Sequence, residues 1–129
     1  MSEIPEGLLF TEEHEYLKPT AEDGVFLVGV TDYAQGELGD VVFIELPEPG
    51  ASFEKMDAFG TIEAVKAVSD LFCPVAAEVL EVNAALDDEP SVVNSDPYGE
   101  GWMIKIRVQD ASDLTGLMDA VAYTDHVGG

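Results

Sequence analysis

The sequence predicts a small all-β fold with short helices, and three observations carry that prediction. Runs of β-branched and aromatic residues recur between turn signals along the whole 129-residue chain. A sustained apolar stripe at helical spacing occurs near the C-terminus, where Leu114, Leu117, Met118 and Val121 fall at i, i+3, i+4 and i+7. No linker rich in Gly, Ser or Pro divides the chain, so residues 1–129 read as a single domain. Hydrophobic residues make up 47% of the sequence, enough for a buried core. These features leave a barrel and a sandwich equally open.

The elements follow in order. Residues 12–19 read as a short strand that Pro19 ends. Residues 20–24 are small and polar, a turn. Residues 24–30 form a β-branched and aromatic run, a buried strand. Thr31 and Asp32 supply a helix N-cap, and residues 33–38 give one or two helical turns stopped by Gly39. Residues 40–46 are a strong strand, broken by Pro47-Glu48-Pro49-Gly50. Residues 51–57 lead into a hairpin of residues 59–65 and 67–72. Residues 73–82 read as a strand with Pro74 near its start, where a missing amide donor is tolerated. Residues 86–91 are loop or a single turn, and 92–101 an ordered loop. Residues 102–108 are a strand. Ser112 then caps a final helix carrying the apolar stripe, and residues 126–129 read as a frayed end.

Five Lys plus Arg stand against 27 Asp plus Glu, a formal charge of -22. Nucleic acid and anionic membrane surfaces would repel such a chain, as would its own copies, so a monomer is expected. Two readings of the acidity stay open: steering toward basic patches on partners, or adaptation to a salty or acidic-proteome cell. The one cysteine permits no intramolecular disulfide and suits a reducing compartment. The acidic start lacks the basic and apolar regions of a signal peptide, and no apolar run approaches transmembrane length. The expected compartment is the cytoplasm, or the mitochondrial matrix after removal of a presequence.

Against that background Lys66 is conspicuous. It lies at the midpoint of the chain, between Val65 and Ala67, at the tip of the expected hairpin. On spacing alone it reads as an edge charge that discourages aggregation. No catalytic constellation stands elsewhere in the sequence. His14 and His126 are distant in sequence and have no nucleophile pattern around them. Cys73 alone cannot supply a metal site, and in its apolar run it reads as a buried inert thiol. The glycines form no phosphate loop. Phe26, Phe43, Phe59 and Trp102 read as core residues on strands.

Glu63-x-Val65-Lys66-Ala67-x-Ser69-Asp70, followed by Pro74-Val75, resembles the attachment site of the glycine cleavage system H protein family. So do His14-Glu15-Tyr16, Gly29-Val30-Thr31-Asp32-Tyr33-Ala34-Gln35, Leu38-Gly39-Asp40-Val41-Val42-Phe43 and Leu46-Pro47-Glu48-Pro49-Gly50. Val93-Asn94-Ser95-Asp96-Pro97-Tyr98 and Gly101-Trp102-Met103-Ile104-Lys105-Ile106 complete the match, in family order, over about residues 6–123. Biotinyl domains usually flank their lysine with methionines, and oxo-acid dehydrogenase lipoyl domains place an acid directly before it; Val65 and Ala67 fit neither pattern.

The resemblance implies a barrel-sandwich hybrid of the lipoyl and biotinyl type with a C-terminal helix. It implies (R)-lipoate attached covalently to Lys66, with Glu63, Val65 and Ala67 recognised by lipoylating enzymes. It implies a cleft for the loaded arm, lined by Glu15 and Asp70 with His14 beside them, where a carboxylate keeps the cargo amine protonated. The implied role is a non-catalytic carrier. Its arm receives an aminomethyl group from a pyridoxal-phosphate glycine decarboxylase, presents it to an aminomethyltransferase, and is reoxidised by dihydrolipoamide dehydrogenase. Relay of lipoyl groups to other acceptor domains is the alternative. The chain departs from the family at Ala77, where glycine is frequent, at Tyr16, where tryptophan is common, and at Ala64, where serine is. A positive φ at Ala77 would cost roughly 1 kcal/mol.

Overall fold

Two antiparallel sheets face each other across the core. The computed structural model describes residues 4–127. The strands are β1 (Leu9–Phe10), β2 (Glu15–Pro19), β3 (Val25–Val30), β4 (Val41–Glu45), β5 (Ser52–Phe53), β6 (Ala58–Ala64), β7 (Val68–Phe72), β8 (Ala77–Val82) and β9 (Ile104–Val108). The larger sheet runs β1-β2-β3-β9-β8-β5 and the smaller β4-β6-β7. The expected all-β, barrel-like sandwich with short helices is the observed one. Alternation builds it: in β9, Ile104 and Ile106 point into the core while Lys105 and Arg107 point outward. Leu17, Val28, Ile44, Ile62, Leu71 and Val79 close the same core from the other strands. Each such buried side chain stabilises the fold by about 1.5–3 kcal/mol of transfer free energy.

Helix α1 (Asp32–Leu38) follows the expected capping. The Thr31 hydroxyl accepts from the Ala34 amide, and Gly39, at φ 82°, ends the helix by donating to the Gln35 carbonyl. A second cluster of Leu8, Phe10, Tyr16, Tyr98 and Tyr123 lies at one end of the larger sheet. There the Tyr123 ring stacks on Phe10 with centroids 4.7 Å apart.

The C-terminal segment corrects the expected helix. Asp110, not Ser112, opens a 3-10 turn over Ala111–Gly116, accepting from the Ser112 amide. Leu117 is then extended (φ -90°, ψ 159°). Met118 exchanges two backbone hydrogen bonds with Phe10 on the free edge of β1, at 2.8 and 2.9 Å. Satisfying that edge outcompetes continuation of the helix. Helix α4 (Ala120–Val127) starts afresh, with the Asp119 side chain accepting from the Ala122 amide. Its buried residue is Tyr123, and Val121 of the expected stripe is exposed. His126 and Val127 are helical rather than frayed; residues 128 and 129 lie outside the described residues.

Smaller corrections have local causes. Residues 12–14 form a turn instead of a strand: the Thr11 amide donates to the Glu15 carbonyl and His14 adopts φ 70°. The strand expected from residue 73 begins at Ala77, because Pro74 has no ladder donor and the chain bends around it. In the bend Cys73 is buried and donates to the Val75 carbonyl at 3.1 Å; burial pushes its thiol up to about 11. The expected loops contain single helical turns, α2 (Ala85–Asp88) and α3 (Val92–Ser95). Ala77 lies in a strand, fully buried, and among the described non-glycine residues only His14 and Met56 have positive φ. The strain considered for Ala77 therefore does not arise. Of the aromatics expected in the core, Phe59 is buried, Phe26 and Trp102 are half-buried, and Phe43 is exposed.

Candidate functional site

The hairpin of β6 and β7 pairs Thr61 with Asp70, Ile62 with Ser69 and Glu63 with Val68. The Ala64 amide donates to the Ala67 carbonyl at 2.8 Å and closes the tip. Val65, Lys66 and Ala67 are all exposed there. Among the described residues Lys66 makes no ion pair. Its stem lies across Gly39: a Cβ at Gly39 would stand 3.2–3.3 Å from the Lys66 Cγ, Cδ and Cε. Gly39 thus combines a left-handed backbone with a close approach that a side chain would crowd.

The tip is tethered to the body by a short network. The Val65 amide donates to the Asp40 carbonyl at 2.9 Å. Asn94, on α3, accepts from the Val41 amide at 2.8 Å and donates to the Gly39 carbonyl and to Gln35 Oε1, each at 2.9 Å. One side chain therefore fixes the segment 39–41 on which the lysine tip rests. Sequence reasoning placed Asn94 in an ordered loop and gave it no role. Nothing in the local pattern connects it to Gly39, which is 55 positions away.

Beside the hairpin a cleft of about 280 Å³ is lined by residues that include His14, Glu15, Tyr33, Ser69 and Asp70. Its wall on β7 starts at Ser69, three positions past Lys66. Glu15 is only 2% exposed. Thr11 Oγ1 donates to Glu15 Oε1 at 2.9 Å, and the Phe72 amide makes a long contact to Oε2 at 3.5 Å. Burial dominates and pushes the Glu15 carboxyl up to about 8, with the Thr11 hydrogen bond opposing it. Asp70 is exposed. The two acids therefore differ: Glu15 holds its proton near neutral pH, whereas Asp70 faces solvent.

His14 is held from behind. Its Nδ1 and the Tyr123 hydroxyl share a hydrogen bond of 2.8 Å, and that hydroxyl also meets Thr31 Oγ1 at 2.7 Å. Burial first, then the neighbouring His126 ring, keeps His14 below the ordinary histidine value. Thr11 and Tyr123 escaped sequence reasoning, since their partners are set by the turn and by the position of α4. Glu63 is half-buried on the outer face of the smaller sheet and does not line the cleft.

The structure thus gathers His14, Glu15 and Asp70 in one cleft. It puts Val65, Lys66 and Ala67 on the adjoining tip, with Glu63 at the base of that tip. A free amine on a rigid turn can be acylated, and an acid-lined cleft can receive a cation. Among the described residues no group of three or more His, Cys, Asp or Glu could hold a metal ion, and no helix is long and apolar enough to cross a membrane.

Comparison with known proteins agrees with this geometry. The family model described as Glycine cleavage H-protein matches residues 8–128. A glycine cleavage system H protein from Chlorobium phaeovibrioides is 52% identical over 126 residues, covering 98% of each chain. The one from Chromobacterium violaceum is 52% identical over 128 residues, covering 99% of each. The crystal structure of a glycine cleavage system H protein from Mycobacterium marinum superposes with a TM-score of 0.88 at 35% identity, covering 98% of this chain and 100% of that one. The chain belongs to the glycine cleavage H-protein family.

Proposed function

We propose that this protein is a lipoyl carrier of the glycine cleavage system and has no catalytic site of its own. The observation that carries the reading is the placement of Lys66: exposed, unpaired by any described acid, and on a tip tethered through Val65 and Asp40, next to an acid-lined cleft. The residues fit the group. The Lys66 amine has open access for acylation: its Nζ attacks an activated lipoyl carbonyl supplied by a lipoylating enzyme, the amide bond forms, the bond to the leaving group breaks, and a base of that enzyme takes the amine's proton. Lipoate supplies, when bound, a disulfide that accepts the carbon unit left after glycine decarboxylation and is reduced in doing so.

This chain's residues do the remaining work. Val65 and Ala67 keep the approach to Lys66 clear. Glu63, below them, is part of what the lipoylating enzyme reads. Glu15 and Asp70 form the acid pair of the cleft, with His14 held beside them by Tyr123. An ammonium entering the cleft would meet Asp70 at the surface, and its charge would favour the ionised form of the buried Glu15 carboxyl, whose proton passes to solvent. The cleft favours glycine cleavage over lipoyl relay, because relay needs the lysine alone. The partners in this reading are the glycine decarboxylase, the aminomethyltransferase, dihydrolipoamide dehydrogenase and the lipoylating enzymes. A cytoplasmic compartment belongs to the proposal and is supported by the bacterial sources of the relatives.

Intact-mass measurement on protein expressed with an active lipoylation system tests it. One lipoyl adduct, absent from Lys66→Arg, is expected. An unmodified wild-type lysine under those conditions would overturn the carrier reading.

A further inference from the structure

Large apolar side chains are exposed among the carboxylates around the outer face of the smaller sheet. Val42, Phe43, Val65 and Val68 are 57, 49, 72 and 65% exposed on a protein of net charge -22. Register brings Phe43 and Val68 onto one face. Phe43 opposes Glu63, and Glu63 opposes Val68, so the three side chains form one row across the face. Glu45, Thr61 and Asp70 form the next row. The register of β4 shifts between Val41 and Phe43, a bulge that leaves Val42 and Phe43 exposed together. Bulges of this kind re-aim side chains next to functional sites. Exposed apolar residues rimmed by charge mark interaction surfaces.

We propose that this row is the docking surface for the enzyme that acylates Lys66. The inference rests on the carrier reading above and deepens it. Val65 and Val68 lie within two positions of Lys66, so an enzyme that brings its acyl donor to Nζ must cover them. An enzyme acting at the far end of a lipoyl arm has no such need. The rim identifies the partner's chemistry. Glu63 stands within the row, between Phe43 and Val68, and Glu45 and Asp70 lie in the next row, so the complementary surface sets apolar groups against Phe43 and Val68 and Lys or Arg against these carboxylates. The same carboxylates oppose pairing of two copies of this chain through the face.

Calorimetric titration of the unmodified protein into a lipoylating enzyme tests this directly. The double variant Phe43→Thr, Val68→Thr places a residue of high strand propensity at both positions and removes the apolar surface. Its Kd and its KM for acylation should rise by about tenfold or more, with kcat within about twofold, as for loss of a central apolar contact. Lys66→Arg with the face intact should bind as wild type does. Binding and acylation of the double variant at wild-type levels would overturn the proposal. So would an equal loss, after forced lipoylation of the double variant, in its reaction with the glycine decarboxylase, since the face would then not belong to the acylating enzyme. Concentration-dependent dimerisation abolished by the double variant would reassign the face to a second copy. Failure of the wild-type chain to be acylated at all is a separate result, and it would remove the carrier reading together with this one.

Discussion

The Asn94 side chain donates to the Gly39 carbonyl at 2.9 Å while accepting from the Val41 amide at 2.8 Å, and so clamps the platform beneath Lys66. The clamp spans α3 and the segment joining α1 to β4, and its effect reaches the tip through the Asp40 carbonyl and the Val65 amide. Asn94→Ala should leave the Val41 donor and the Gly39 acceptor short of partners and cost about 2–3 kcal/mol. The more specific readout is hydrogen exchange. The Val65 amide should lose protection in Asn94→Ala, while the Ile104 and Ile106 amides of β9 keep theirs after correction for global stability. Unchanged protection at Val65 would show that the tip does not depend on the clamp.

Tyr123 ties α4 to the cleft wall. Its hydroxyl meets both His14 and Thr31, and its ring stacks on Phe10. Tyr123→Phe keeps the stacking and removes the two polar contacts. A loss of about 1–2 kcal/mol is expected by urea unfolding, since His14 Nδ1 loses its side-chain partner. His14 should also titrate differently in the variant, and histidine proton NMR shifts followed against pH would show it. Wild-type stability and an unchanged His14 titration would mean that solvent replaces the tyrosine without cost.

Glu15 makes stability depend on pH with a definite sign. Its folded pKa, about 8, lies above its ordinary value of 4.5. The native state therefore binds this proton more tightly than the unfolded chain does. The stability it contributes is complete below 4.5, is lost as pH rises toward 8, and changes no further above that. The other carboxylates titrate too, so the comparison is with Glu15→Gln. The variant should gain on wild type by on the order of a few kcal/mol between about pH 5 and about pH 8 in urea unfolding. Parallel pH profiles for the two proteins would mean that Glu15 is ionised in the native state.

What could be read from the sequence was local, and what could not was long-range. The Thr31 cap, the Gly39 stop and the β6–β7 hairpin each follow from residues within a few positions of one another, so pattern sufficed. The stripe of Leu114, Leu117, Met118 and Val121 obeys the helical period, yet Met118 pairs with Phe10, more than a hundred residues earlier. No local pattern records that competition. Phe43 looked like core because it sits in a β-branched run, and the bulge that exposes it is a property of its pairing with β6. The positions lining the cleft were read from family resemblance. The burial that separates Glu15 from the other described acids was not legible, because it comes from how β2 and the Thr11–His14 turn pack beside β7.

Two glycines three positions apart should respond oppositely to alanine. Gly36, inside α1, has no positive φ, and a Cβ there would meet nothing within 4 Å beyond its chain neighbours and the backbone of its own helix. Gly36→Ala should stabilise the protein by about 0.5–1 kcal/mol, through helix propensity and a less flexible unfolded chain. Gly39 has φ 82°, and its Cβ would press on the Lys66 stem at 3.2 Å. The stem is flexible and can move aside, so the cost is mainly backbone: Gly39→Ala should destabilise by about 1–2 kcal/mol. The stem's displacement is testable on its own. Lys66 should react faster with a small acylating reagent in Gly39→Ala than in Gly36→Ala, because its side chain no longer lies along the backbone. Equal stabilities for the two variants, with equal Lys66 reactivity, would show that the α1 terminus tolerates a side chain and that the lysine does not rest on it.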